Sequence, residues 1–312
     1  MGKGGVGRTT VSAAIGAALA RRGRKTLLFQ SNARKQLAQI LGGPPVGEAV
    51  VPMRDHLWAV RTNPNAALHE YGLMVLRYET IYRMVLENKV AKSLVRAIPG
   101  LDDYSIVGKC WWHTTEKEPD GRPRWDTVVF DGPATGHAVT MLRIPRAILS
   151  AVPEGPLTRD AVKVRELLED PARCAVVLVT LAEEMPTNET VELAARLREL
   201  DLHPSWLVVN QLYPDRFPRG SATGRVLEAA LAGGAADDPG LAPLVRPART
   251  LAIRRALNER YLGRLRAELG LPEVDLPILF APVIGPAEIE TLSSLLEQAT
   301  TGADEAHTRG AR

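Results

Sequence analysis

The chain has 312 residues, 45% of them hydrophobic and 24% charged, with a formal net charge of +3. These values describe an ordinary folded protein with ample core, and so small a charge gives no reason to expect nucleic acid as a partner. No apolar run approaches the roughly 18 residues of a membrane span, and two distant cysteines, Cys110 and Cys174, exclude a disulfide framework or a CxxC zinc site.

The first ten residues, Met1-Gly2-Lys3-Gly4-Gly5-Val6-Gly7-Arg8-Thr9-Thr10, read as the phosphate-binding pattern G-x-x-x-x-G-K-[ST] with arginine at the lysine position. Gly2 and Gly7 hold the fixed glycine positions and Thr9 the Mg²⁺-ligand position. A main chain that turns successive N–H groups toward a triphosphate needs dihedral angles that a side chain forbids. A helix follows with Val11, Ala14, Ile15, Ala18 and Leu19 on one face, its positive end aimed at the phosphates. Gly23 is a natural C-cap, and Arg21 and Arg22 suit the negative end of the dipole. In a strand–loop–helix unit a buried strand comes before the glycines, and here none does. An upstream start is expected rather than loss of a central strand, which would bare apolar helix faces on both sides of the sheet. With no leader segment ahead of the loop, a cytoplasmic location is expected.

Residues 25–29 read as a short buried strand running into Gln30-Ser31-Asn32-Ala33-Arg34-Lys35. A strand over 57–61 leads to a helical stretch from about 66 to 98, whose Tyr71, Met74, Tyr78, Ile81, Val85 and Leu94 read as core packing more readily than as a client groove. Pro99-Gly100-Leu101-Asp102-Asp103 ends it, and 116–124 reads as an exposed loop. Residues 125–131 form an apolar strand ending in Asp131 and a glycine-bearing turn, the setting of a carboxylate that faces bound Mg²⁺. Further along come a buried strand over 175–180, a helix over 187–200 with Val191, Ala194, Leu197 and Leu200 inward, and a strand over 207–211 that carries Asn210. Its amide can both donate and accept. Residues 220–240 read as flexible. The arginine-rich helix over 249–269 reads as a solvated face, with nucleic acid or anionic lipid the lesser reading. A last strand is expected over 276–283 and disorder from 298 to 312. The fold class is α/β, a doubly wound and mostly parallel sheet in a single domain over 1–297, with a helical insertion at about 65–110.

Four stretches, 2–22, 27–41, 99–145 and 174–212, resemble the ArsA and tail-anchored-protein-targeting ATPases, P-loop NTPases with a deviant Walker A motif. The likeness continues more weakly to about residue 297. Lys3 matches the early signature lysine of that group, which reaches across an ATP-sandwich dimer to the partner's phosphates. The resemblance implies ATP and Mg²⁺ as cofactors, ATP/ADP bound by Gly2, Lys3, Gly4, Gly5, Val6, Gly7, Arg8, Thr9 and Thr10, and metal held by Thr9 and Asp131. It places Asn210 and Pro282 by the adenine and makes Lys3, Asn32 and Asp131 the catalytic set. Asn32 stands where the group's switch I has a water-orienting aspartate, and Gly132-Pro133-Ala134 replaces T-A-P before Thr135-Gly136-His137.

The departures bear on mechanism. Arg8 keeps the charge of lysine on a wider, planar group. Asn32 hydrogen-bonds a water but cannot take its proton. If each change costs roughly 10²–10⁴-fold, hydrolysis is nearly abolished while binding survives. The expectation is an ATP-binding protomer with weakened hydrolysis, in a homo- or heterodimer with an active homologue. The alternatives are a competent ATPase that drives anion transport or membrane-protein targeting, with a transporter or membrane-protein client as partner, and a non-enzymatic carrier or scaffold.

Overall fold

Apolar runs of five to nine residues alternate with longer helical segments along this chain, and each run becomes a strand with helices packed on its two faces. The computed structural model describes residues 1–31, 37–64, 66–67 and 101–310. In chain order the elements are α1 (Arg8–Arg21), β1 (Thr26–Ser31), α2 (Leu37–Leu41), β2 (Val51–Arg54), β3 (Leu57–Thr62), α3 (Leu101–Thr115), β4 (Thr127–Asp131), α4 (Thr135–Ala151), α5 (Pro156–Glu169), β5 (Val176–Leu181), α6 (Glu184–Arg198), β6 (Pro204–Leu212), α7 (Ala222–Ala232), α8 (Ala242–Leu269), β7 (Glu273–Pro277) and α9 (Pro286–Gly310).

The strands form two sheets ordered β2-β3-β1-β4 and β5-β6-β7. All their pairings are parallel except the β2–β3 hairpin, so the α/β, mostly parallel class holds. Every residue of β1 is buried, as expected of a strand covered on both faces. Leu28 packs with α1 and α2 while Leu27 and Phe29 pack with α3 and α4. The same alternation governs β6, where Val208 faces α1 and α9 while Leu207 and Val209 face α6 and α8.

Between β5 and the head of α4 lies the main chain of the first two residues. The Met1 nitrogen donates to the Val177 carbonyl. Val179 N–H donates to the Met1 carbonyl, and Thr135 N–H to that of Gly2 at 3.2 Å.

Several elements depart from the sequence-based expectation. Helix α1 is buried on two sides, with Val11 and Ala14 in one cluster and Ala13, Ala17 and Ala20 in another. Alanine makes this possible because it adds little volume on either side. The last strand is displaced upstream. Val274 and Leu276 supply its buried residues, and β7 ends at Pro277 in register with Leu212. Ile278 N–H makes a last bond to the Leu212 carbonyl at 2.9 Å, and residues 279–283 run on outside the sheet.

The stretch expected to be flexible contains α7. Ser221 caps this helix, its Oγ accepting from Gly224 N–H at 3.0 Å. Helix α9 spans Pro286–Gly310. The Tyr/Met stripe over 71–94 lies outside the described residues, as does most of the expected helical insertion. Its final part is α3.

The 116–124 segment is not wholly exposed. Glu116, just past α3, is half-buried with its side chain turned inward, and it accepts hydrogen bonds from His113 Nδ1 at 2.8 Å, Trp125 Nε1 at 2.7 Å and Arg124 Nη1 at 3.0 Å. Burial raises the Glu116 pKa, but the bonds from His113 and Trp125 outweigh it and hold the carboxyl below its ordinary range. A carboxylate with a depressed folded-state pKa stabilises the fold above the ordinary carboxylate range, and loses that contribution as pH falls through the lower folded value. Glu116→Gln should therefore cost about 2 kcal/mol in urea unfolding at pH 7, and its difference from wild type should shrink below about pH 4.

Candidate functional site

The site is built where the strands of a doubly wound sheet end, at the crevice between neighbouring sheet edges. The glycine loop runs from Met1 past β5 and enters α1 at Arg8. Two of its glycines are required by geometry. A Cβ on Gly2 would lie 2.0 Å from the Val179 carbonyl oxygen, so the loop could not approach β5 with any other residue there. Gly7, the N-cap of α1, is left-handed at φ +88°, and a Cβ there would lie 2.3 Å from Nδ2 of Asn210. Gly5 is also left-handed at φ +90°. Turns of this kind point consecutive N–H groups into one concavity and favour an anion in it.

Asp131 ends β4, is nearly fully buried, and receives two hydrogen bonds on Oδ2: from Thr9 Oγ1 at 2.7 Å and from Gln30 Nε2 at 3.1 Å. Arg8 turns away from the centre of the loop, with Nη1 donating to the Gly132 carbonyl just past Asp131. Burial lowers the Arg8 pKa and the nearby Asp131 charge partly offsets this. Asn210, buried on β6, donates from Nδ2 to the Val6 carbonyl at 3.0 Å. Its amide group thus braces the loop, and Val6 itself is buried against Val179 and Val208. Lys3 points to α6, where Nζ lies 2.6 Å from Glu189. On the other flank, His137 in the first turn of α4 pairs with Asp103 of α3 at 2.9 Å.

Of the residues singled out from sequence, Gly2, Gly4, Gly5, Val6, Gly7, Arg8, Thr9, Asp131 and Asn210 converge here, and Thr10 sits in the first turn of α1. Lys3 joins the loop but is held by Glu189. Pro282 is exposed on the segment after β7. Asn32 lies outside the described residues. Sequence reasoning passed over Gln30, Gly132 and Glu189. The first had a readable signal, a polar residue at the end of a buried strand that runs beside the strand ending in Asp131.

The anion-transporting ATPase family model matches residues 1–154 and 156–224. The chain belongs to the ArsA ATPase family. Among its relatives is ATPase BagA of Mycobacterium tuberculosis, 29% identical over 218 residues, a match that covers 68% of this chain and 64% of that protein. ATPase GET3 of Kluyveromyces lactis is 25% identical over 258 residues, covering 72% and 74%. The arsenical pump-driving ATPase of Escherichia coli is 27% identical over 231 residues, covering 68% of this chain and 39% of that protein. The chain therefore spans less than two thirds of the mycobacterial relative's length.

ATPases of this family use ATP and Mg²⁺. The residues here fit that pair: glycines that only a bare main chain satisfies, and a hydroxyl and a carboxylate 2.7 Å apart. Among the described residues no cluster of three His, Cys, Asp or Glu forms a separate metal site, and no helix is long and apolar enough to cross a membrane.

The loop geometry makes a contrast that can be measured. Gly7→Ala imposes a left-handed alanine, costing about 1–2 kcal/mol, and displaces the Asn210 amide, costing about 1 kcal/mol more. Gly4→Ala meets open space and should stay within about 0.5 kcal/mol of wild type. Urea unfolding of the two variants checks both values.

Proposed function

We propose that this ArsA-family chain binds Mg·ATP but hydrolyses it weakly on its own, and that it acts as one protomer of an ATP-sandwich dimer with an active homologue. The observation that carries the reading is the direction of Arg8. Its guanidinium donates to the Gly132 carbonyl, so one of its donors is held at the turn after β4, and its planar fork cannot reach the β- and γ-phosphates as the compact ammonium of a loop lysine would. Asn32 at the switch I aspartate position adds to the deficit, since an amide cannot take the proton of an attacking water.

Binding has more support. The glycine cradle, the Thr9–Asp131 pair and the braced Asn210 are all in place. In this reading Thr9 and Asp131 hold Mg²⁺, which neutralises phosphate charge when bound. The loop N–H groups and the N-terminus of α1 hold the phosphates, and Asn210 and Pro282 lie toward the base.

Lys3 supports the dimer. It is not directed at its own loop, and in a sandwich it would serve the partner's phosphates once released from Glu189. A relative named as an arsenical pump-driving ATPase keeps a pump among the possible partners, and the sequence resemblance to tail-anchored-protein-targeting ATPases keeps a membrane-protein client. Burial raises the pKa of both Cys110 and Cys174. That keeps them as thiols, whereas a soft metalloid prefers thiolates.

Calorimetry with Mg·ATP should give a binding isotherm for the purified chain, and its turnover should lie at least about 100-fold below that of the Arg8→Lys/Asn32→Asp double variant. Equal turnover would overturn the hydrolytic half of the proposal, and absence of binding heat the other half. In a mixture with an active homologue, Lys3→Ala should slow the homologue's turnover. Unchanged rates would rule out service in trans.

A further inference from the structure

Gln30 is fully buried at the end of β1, and in the parallel β1–β4 pair it lies in register with Asp131. Its amide Nε2 donates to Asp131 Oδ2 at 3.1 Å, the same oxygen that accepts from Thr9 at 2.7 Å. Among the described residues no hydrogen bond falls on Oδ1. The carboxylate is thus pinned by one oxygen and offers the other.

We propose that Gln30 is the positioning residue for the metal-binding carboxylate of Asp131, holding its orientation by a bond that does not depend on Thr9. This rests on the Mg·ATP reading and assigns a further residue to the same site.

Three physical points support it. A neutral amide donor fixes a carboxylate without cancelling its charge, whereas lysine or arginine at position 30 would compete with the cation. Arg8, the nearby cation, places its Nη1 on the Gly132 carbonyl. Finally, a threonine hydroxyl that turns its oxygen to a metal is a poor sole anchor for the carboxylate beside it, and Gln30 comes from a different strand. Gln30 also lies two residues before Asn32, so a shift of the β1 end would be transmitted to the orientation of Asp131.

The test is a titration of N-methylanthraniloyl-ATP fluorescence on the full chain, in EDTA and at increasing Mg²⁺. In Gln30→Met, which keeps the length and loses the donor, nucleotide affinity in EDTA should match wild type. The Mg²⁺ concentration for half-maximal enhancement should rise about 10-fold, the scale of one lost hydrogen bond to a charged group. Equal weakening with and without Mg²⁺ would mean a merely structural role and overturn the proposal, as would an unchanged Mg²⁺ midpoint. Should Gln30→Met fail to fold, Gln30→Asn keeps a buried amide one methylene short of Oδ2 and is read by the same criteria. Wild-type protein that binds no nucleotide overturns the Mg·ATP reading together with this one. A wild-type response to Mg²⁺ that the variants share overturns the role of Gln30 alone.

Discussion

Main chain grips the start of the glycine loop from both sides, and the architecture around the site depends on that grip. Met1 donates one bond to β5 and accepts another from it, and Gly2 accepts one from the head of α4, so the loop is placed by groups that cannot rotate away. The glycine at position 2 is the condition for it, since any Cβ would collide with the Val179 carbonyl. Side chains then complete the assembly. Asn210 reaches from β6 to the Val6 carbonyl, and Thr9 reaches from α1 to the end of β4. Each sheet contributes one fixed side chain, and the loop is held between them.

Charge in the pocket is distributed unevenly. Asp131 is buried with only neutral donors on its carboxylate, while the two cations of the loop are directed elsewhere, Arg8 to a backbone carbonyl and Lys3 to Glu189. A buried carboxylate satisfied by neutral groups keeps its attraction for a metal ion. A guanidinium engaged by a turn gives up part of its value to phosphate, because its donors are fixed in a planar fork. This separation underlies the proposal that binding outlasts hydrolysis.

The parts of the fold legible in the sequence were those in which local pattern and tertiary context agree. The runs that became β1, β3, β4, β5 and β6 are short, apolar and rich in valine and leucine, as a strand buried on both faces requires. The motif that ends in Asp131 could be read because a strand-end carboxylate followed by a glycine turn has few structural uses. What stayed hidden was decided by distance. Glu189 carries no local signature, and the polar end of β1 and the glycine after Asp131 showed that Gln30 and Gly132 sit near the site without showing what they touch, since the partners of all three lie between 101 and 186 positions away. Glu116 looked like part of a solvated loop because its neighbours are charged, yet the fold brings an indole, an imidazole and a guanidinium to it. Helix α7 was masked by its glycine and alanine content, and a single serine cap was a weak sign of where it starts.

The alanine-lined helix behind the loop has a mechanical consequence. It touches the interior of both halves of the protein, and its far end is tied by Arg21 to Glu290 and Glu297 on the C-terminal helix. Packed on two faces and tied at one end, such a rod carries a displacement of its phosphate-facing tip along its axis, some 20 Å (about 1.5 Å for each of its 14 residues), toward the C-terminal helix, while a cleft between Ile15, Leu19, Trp206 and Leu296 leaves it room on one flank.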